Sequence, residues 1–215
     1  MASRHSYGEH PSQFCELHPG GADVAVLIHG GFWRARYGLE LEHEIAADLL
    51  ARGWTVWNVE YRRLGDGGGW PQTGADVVAA IEALPVDASR VVAIGHSAGG
   101  HLATWAAAHV RLDGVVSQAG ALDLYELWRR GTSDHVVRQF LGGSPDEVPE
   151  RYAAATPRPP GVPLLLVHGT LDEDVPLEIS RDFGAGELVV IEDEGHMEHL
   201  EPGSRCWRAV VEWLG

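Results

Sequence analysis

The sequence predicts an α/β fold: a mostly parallel, twisted sheet with helices on both faces and a short helical lid inserted late in the chain. Three observations carry that expectation. Six short runs are β-branched and almost continuously apolar, as strands covered on both faces should be. Segments of helical period separate them, giving the βαβα order of a parallel sheet with right-handed crossovers. One stretch, 121–161, breaks the rhythm: it has no strand, carries Trp128, Phe140 and Tyr152, and is divided by "LGGSP" and "PRPPG". An insertion after a strand's carboxyl end overhangs the crevice where open α/β sheets bind ligands.

The expected strands are Asp23–Gly30, Trp54–Glu60, Arg90–Gly95, Gly114–Gly120, Val162–Gly169 and Glu187–Asp193. After the first comes "LELEHEIAADLLARG", with Leu41, Ile45 and Leu49 at i, i+4 and i+8 and Gly53 where a helix C-terminus favours glycine. After the second, "TGADVVAAIEALP" predicts a helix opened by Thr73 and Asp76 as a capping box, packed through Val77, Ile81 and Leu84, and ended before Pro85. A last helix, Ser204 to Leu214, sets Val210, Val211 and Leu214 on one face.

No linker, repeat or low-complexity tract divides the 215 residues, which suffice for one sizeable core and are read as a single domain, 1–215. A net charge of −15, from 16 basic and 31 acidic residues, repels phosphate backbones and argues against nucleic acid as a partner. The opening residues show no apolar run with a cleavage pattern after it. No run reaches the roughly 18–20 apolar residues of a membrane span. A soluble, cytoplasmic protein without membrane partners is the expectation, and a homodimer stays open. Cys15 and Cys206, far apart and outside any metal or redox spacing, are expected to be reduced structural thiols.

The chemistry centres on "RVVAIGHSAGGHLATWAAAH". Gly95-His96-Ser97-Ala98-Gly99 fits G-x-S-x-G with a strand before it and a helix after it, the context of a nucleophile elbow. A serine at the tip of such a turn takes a strained backbone, and glycines two before and two after clear space for it. The first amides of the following helix point at the same place. A serine hydroxyl needs a base and an orienting acid, in the chain order Ser, acid, His. Of the 12 histidines, His196 in "EDEGHMEHL" follows the last strand and is favoured over His199. Asp172 in "VHGTLDEDVP" is the expected acid, with Asp174 in reserve. "HMEH" lacks zinc spacing, so no metal is expected. "GDGGGWP" has no following lysine and is no phosphate loop, but a flexible loop beside the site.

The loop His29-Gly30-Gly31-Phe32-Trp33 resembles the HGGG-type loop of lipases and esterases. That likeness implies an oxyanion hole from the amides of Gly31, Phe32 and Ala98, with His29 buttressing the loop and Trp33 and the lid aromatics lining a substrate pocket. "HGGFW", "GHSAGG", "HGTLDEDVP" and "EGHMEHLEP" occur in the order of the α/β-hydrolase fold, and the resemblance covers nearly the whole chain. Within that fold the chain is similar to the HGG-type esterase and kynurenine formamidase branch, whose Ser-Asp-His triad falls on Ser97, Asp172 and His196 and which needs no cofactor. The resemblance implies a carboxylesterase acting on small esters through an acyl-enzyme. An arylformamidase using the same machinery on N-formylkynurenine is the alternative, and a small-molecule receptor on a hydrolase fold is the non-enzymatic one. The chain is short for the fold, which implies a shallow pocket.

Overall fold

The computed structural model describes residues 2–215. Its strands are β1 (Ser3–Ser6), β2 (Phe14–His18), β3 (Asp23–Ile28), β4 (Thr55–Val59), β5 (Arg90–His96), β6 (Gly114–Gln118), β7 (Leu164–Gly169) and β8 (Glu187–Ile191). Its helices are α1 (His43–Ala51), α2 (Gln72–Glu82), α3 (Ala98–Ala106), α4 (Leu124–Arg130), α5 (Thr132–Leu141), α6 (Pro149–Ala155), α7 (Leu177–Asp182) and α8 (Arg205–Leu214). All six expected strands are present, and they form one sheet in the order β1-β2-β4-β3-β5-β6-β7-β8, parallel from β4 to β8. The architecture is that of the α/β-hydrolase fold.

The first two strands were not expected from the sequence. β1 pairs with β2, and β2 with β4, both antiparallel. "SRHS" is a polar, mostly exposed edge strand, so it carries no apolar pattern to read.

Alternation along the strands divides the core between the two faces. Val24, Val26 and Ile28 of β3 face a cluster completed by Val77 and Ile81 of α2, Leu102 of α3 and the inserted helices. Ala25 and Leu27 face Ile45 and Leu49 of α1, with Trp207, Val210 and Leu214 of α8. Leu41 lies outside α1, in the 3₁₀ turn Leu39–Glu42, half-buried. Gly53 follows α1 at φ +89°, the left-handed conformation expected there. Both cysteines are free and buried. No helix of the described residues is long and apolar enough to cross a membrane.

The capping box is not formed. α2 starts at Gln72 without a side-chain cap. Thr73 Oγ1 instead donates to Arg62 O (2.7 Å) and accepts from the Gly69 amide (3.1 Å). Asp76 is taken by the Arg62 guanidinium at 2.7 and 2.8 Å. Partners in the preceding loop take both side chains in place of the helix end.

Glu42, at the end of the 3₁₀ turn before α1, is buried, and its Oε1 has no hydrogen-bond partner. Burial pushes its carboxyl up to about 8, from 4.5 for the exposed group. A carboxyl whose folded value is raised leaves stability intact below the unfolded value and drains it as pH rises towards the folded one. Glu42→Gln is therefore expected to match the parent near pH 4. Thermal melts should show it gaining stability from about pH 5 to pH 8, by roughly 2–4 kcal/mol at the top of that range.

Candidate active site

Ser97 stands at the tip between β5 and α3 with φ +56° and ψ −116°, a region that costs a non-glycine residue about 1–3 kcal/mol. The flanking glycines explain how it is held. A Cβ on Gly99 would stand 1.8 Å from Ile28 O, and one on Gly95 2.1 Å from Gly99 O. The end of β3 is pressed against the elbow as well, because a Cβ on Gly30 would meet His96 O at 2.9 Å and Ser97 Cβ at 3.1 Å. This contact sets the HGGFW loop beside the serine.

Gly31, Phe32 and Trp33 all have positive φ, at +101°, +54° and +54°. Among the described residues, the amides of Gly31, Phe32 and Ala98 make no hydrogen bond, so their donors are free for a ligand near Ser97. His29 buttresses the loop as expected: its ring lies between Gly30 O (2.8 Å) and the Glu60 carboxylate (3.1 Å) and stacks on Tyr61 at 4.3 Å. Burial pushes Glu60 up, but His29, Arg63 and the Tyr61 amide outweigh it and hold the carboxyl below its ordinary range. Leu64, the residue just before the "GDGGGWP" segment, pairs with the same loop through Leu64 N to Trp33 O (2.7 Å) and Ala35 N to Leu64 O (3.0 Å).

Asp172 and His196 are brought together across the carboxyl ends of β7 and β8. His196 Nδ1–H donates to Asp172 Oδ2 at 2.7 Å. The other carboxylate oxygen accepts from the Asp174 and Val175 amides at 2.9 and 2.8 Å. Asp174, the reserve acid, is exposed and offers only its backbone. His199, the rival base, is fully buried, and neither ring nitrogen has a partner. Burial pushes it down to about 3. The two histidines of "HMEH" thus point to different surroundings.

The sequence reading missed His168. It ends β7 four residues before Asp172, and its Nε2–H is shared between Val175 O (2.9 Å) and Asp172 Oδ2 (3.2 Å). Those two acceptors place a proton on Nε2, and Ser180 Oγ lies in hydrogen-bond contact with Nδ1 at 2.8 Å. Burial pushes the Asp172 carboxyl up, yet the donors His168 and His196 prevail and hold it well below the usual carboxylate range. The i, i+4 spacing in "HGTLD" was the available signal.

Ser97 and His196 share one rim. The ring of His96, next to the serine, lies 4.5 Å from that of His196. No direct hydrogen bond joins Ser97 Oγ to His196 among the described residues. In unliganded sites such bonds are often long and tighten only around substrate.

A cavity of about 10 Å³ opens beside Ser97 and Ala98, bounded by Phe32 and Trp33 and roofed by Leu127, Val136 and Val137. That is the room one water molecule takes. The insertion 121–161 supplies the roof, as α4 and α5, and contains no strand. Its aromatic residues do not line the cavity. Phe140 stacks behind Trp33 at 4.5 Å, Tyr152 is buried, and Trp128 faces a separate surface groove. Trp33 is itself 1% exposed, so it is a cavity wall rather than an open platform. The insertion is pinned to the HGGFW loop by Arg34, whose Nη2 donates to Ser133 O at 2.7 Å.

A family model described as BD-FAE matches residues 17–186, which takes in the elbow, the HGGFW loop and Asp172 but stops short of His196. Esterase LipC of Mycobacterium tuberculosis is 26% identical over 82% of the chain and 52% of its own length. The chain therefore spans about half the length of the curated relative it matches. Among solved structures, a bifunctional GH43-CE protein of Bacteroides eggerthii superposes with a TM-score of 0.80 at 20% identity, over 98% of this chain and 37% of that one. The acetyl ester-xyloside bifunctional hydrolase of Caldicellulosiruptor lactoaceticus gives 0.76 at 20% identity, over 99% and 93%.

Proposed function

This chain belongs to the BD-FAE family, and from that premise we propose that it is a serine hydrolase cleaving carboxylic esters of small acyl groups through an acyl-enzyme. The hydrogen-bonded Asp172–His196 pair on the rim that carries the strained Ser97 is the observation on which the reading rests. Ser97 attacks the ester carbonyl, and His196 takes the hydroxyl proton and returns it to the leaving alcohol. Asp172 holds the imidazole with Nδ1–H inward, and water then repeats the sequence to free the acid. The amides of Gly31, Phe32 and Ala98 receive the negative charge on the carbonyl oxygen. The names of the relatives, an esterase and an acetyl ester hydrolase, favour the same chemistry.

The cavity limits the acyl group. With the acyl group in this cavity, space for about one water suits the hydrogen of a formyl group or the methyl of an acetyl group, and a longer chain presses on Leu127, Val136 and Val137. Against p-nitrophenyl esters, kcat/KM is expected to fall at least about 10-fold from acetate to butyrate, and Val137→Ala to narrow that gap. Equal turnover out to octanoate would remove the size limit. No turnover of any ester or aryl formamide, with no labelling of Ser97 by a fluorophosphonate, would favour a receptor and remove the hydrolase. Because a formyl group also fits, the arylformamidase reading shares this site. A large preference for N-formylkynurenine over phenyl acetate would select it.

A further inference from the structure

Two buried side chains outside the reacting set reach the loop that carries His196. His96 ends β5 directly before Ser97, and Gln118 ends β6 opposite it in the strand register. His96 Nε2–H donates to the backbone carbonyl of His196 at 2.8 Å. Gln118 Nε2 donates to the backbone carbonyl of His199 at 3.1 Å. Both side chains are buried, and their partners lie 100 and 81 residues away in the chain.

We propose that His96 and Gln118 form a two-point tether that fixes the 196–199 loop to the elbow, making them positioning residues for the base. The proposal rests on the reading of Ser97 and His196 as nucleophile and base. Loops at the carboxyl edge of a sheet are mobile unless bound, and a base displaced by about 1 Å from its nucleophile loses on the order of 10²-fold in rate. The loop has its own acid contact through Asp172, but a single hydrogen bond leaves the imidazole free to swing about it. Anchoring the carbonyl of the same residue to the residue before the serine removes that freedom.

The local packing suits the role. The His96 ring sits against Gly30, where a Cβ would stand 3.0 Å from Nδ1, so the ring is held between the HGGFW loop and the His196 loop. The rings of His196 and His199 lie 4.5 and 5.8 Å from it. Burial, and then the neighbouring His196 and His199, push the His96 imidazole well below its ordinary range. It therefore stays neutral, with the proton on the nitrogen that bonds the carbonyl. Gln118 also receives the Ser97 amide on its backbone oxygen at 2.8 Å, so the same residue braces the elbow and the loop.

The test uses His96→Phe, which keeps ring bulk and loses the donor, His96→Gln, whose amide reaches the Nε2 position, and Gln118→Met. Each is assayed on p-nitrophenyl acetate, by the rate of fluorophosphonate labelling and by thermal melting. His96→Phe is expected to lower kcat about 10- to 100-fold with KM nearly unchanged and to slow labelling in step. His96→Gln should recover most of the loss, and Gln118→Met should show a smaller fall of the same kind. Undiminished kcat in His96→Phe overturns the tether. So does an equal loss in the Phe and Gln variants that tracks their melting temperatures, which marks a packing role. Failure of the parent protein to label at Ser97 overturns the tether together with the hydrolase reading, whereas normal parental labelling isolates the tether.

Discussion

Ser97→Ala is expected to reduce kcat on p-nitrophenyl acetate by about 10⁶-fold while leaving the melting temperature within a degree or two of the parent. The first half follows from the chemistry: without the hydroxyl no acyl-enzyme forms, and His196 has no proton to take. The free amides of Gly31, Phe32 and Ala98 remain, so residual turnover above the rate in water is expected. The second half follows from the backbone. The strain belongs to φ +56° and ψ −116°, which an alanine Cβ suffers as much as a serine one, so replacement neither relieves nor adds to it. Ser97 Oγ has no hydrogen bond to lose among the described residues. Turnover unchanged in this variant would remove Ser97 as the nucleophile, and a collapse in melting temperature would make the loss of activity uninformative about chemistry. In that event, fluorophosphonate labelling of the folded parent at Ser97 decides.

What the sequence made legible is what short-range sterics dictate. Gly95 is a glycine because Gly99 O stands 2.1 Å from where its Cβ would be, a demand written within five residues, whereas Gly99 answers to Ile28 O across the fold and is legible only through the motif. His196 was legible because it follows the last strand, and Asp172 because it follows the one before. Of the supporting residues, His96 and Gln118 were not legible because they act across the fold, whereas His168 left only a local i, i+4 spacing to Asp172. His168 turns towards Asp172 only because β7 ends there, and His96 and Gln118 meet carbonyls far along the chain. The capping box fails because α2 begins at Gln72, before Thr73, while Arg62 and Gly69 of the preceding loop bind Asp76 and Thr73. Polar edge strands such as Ser3–Ser6 leave no apolar trace at all.

The residues of the insertion divide between the core and the wall of the cavity beside Ser97. Phe140 serves the core by stacking on Trp33, while Val136 and Val137, one turn earlier, roof the cavity at Ser97. Between Gly131 and Val136 the chain runs through Ser133, Asp134 and His135 at φ +46°, +56° and +54°, three successive left-handed residues of a kind glycine favours. The bond from Arg34 to Ser133 O holds this bend down on the HGGFW loop. Phe140 and Tyr152, expected from the resemblance to line a substrate pocket, are thus committed to packing, and Leu127, Val136 and Val137 of the insertion line the cavity instead.

Asp172→Asn is expected to lower kcat about 10⁴-fold, with Asp174→Asn close to the parent. All four contacts to the Asp172 carboxylate are donors: the His196 and His168 rings on one oxygen, and the Asp174 and Val175 amides on the other. An amide offers one acceptor and one donor. Whichever way it is turned, an NH₂ group faces N–H donors: two backbone amides that cannot change, or two rings that can. Turning the NH₂ towards the rings reverses the His196 tautomer, so that the nitrogen facing Ser97 carries a proton and no longer accepts one. The parent carboxyl, held well below its ordinary range, contributes stability that is present above about pH 4 and lost as the pH falls further. The acid variant should therefore lose its stability deficit relative to the parent as the pH is lowered, while its activity deficit persists across the neutral range. Steady-state rates and melting curves from pH 3 to 8 measure both. An Asp172→Asn enzyme as fast as Asp174→Asn would remove Asp172 from the reaction and leave His196 without its partner.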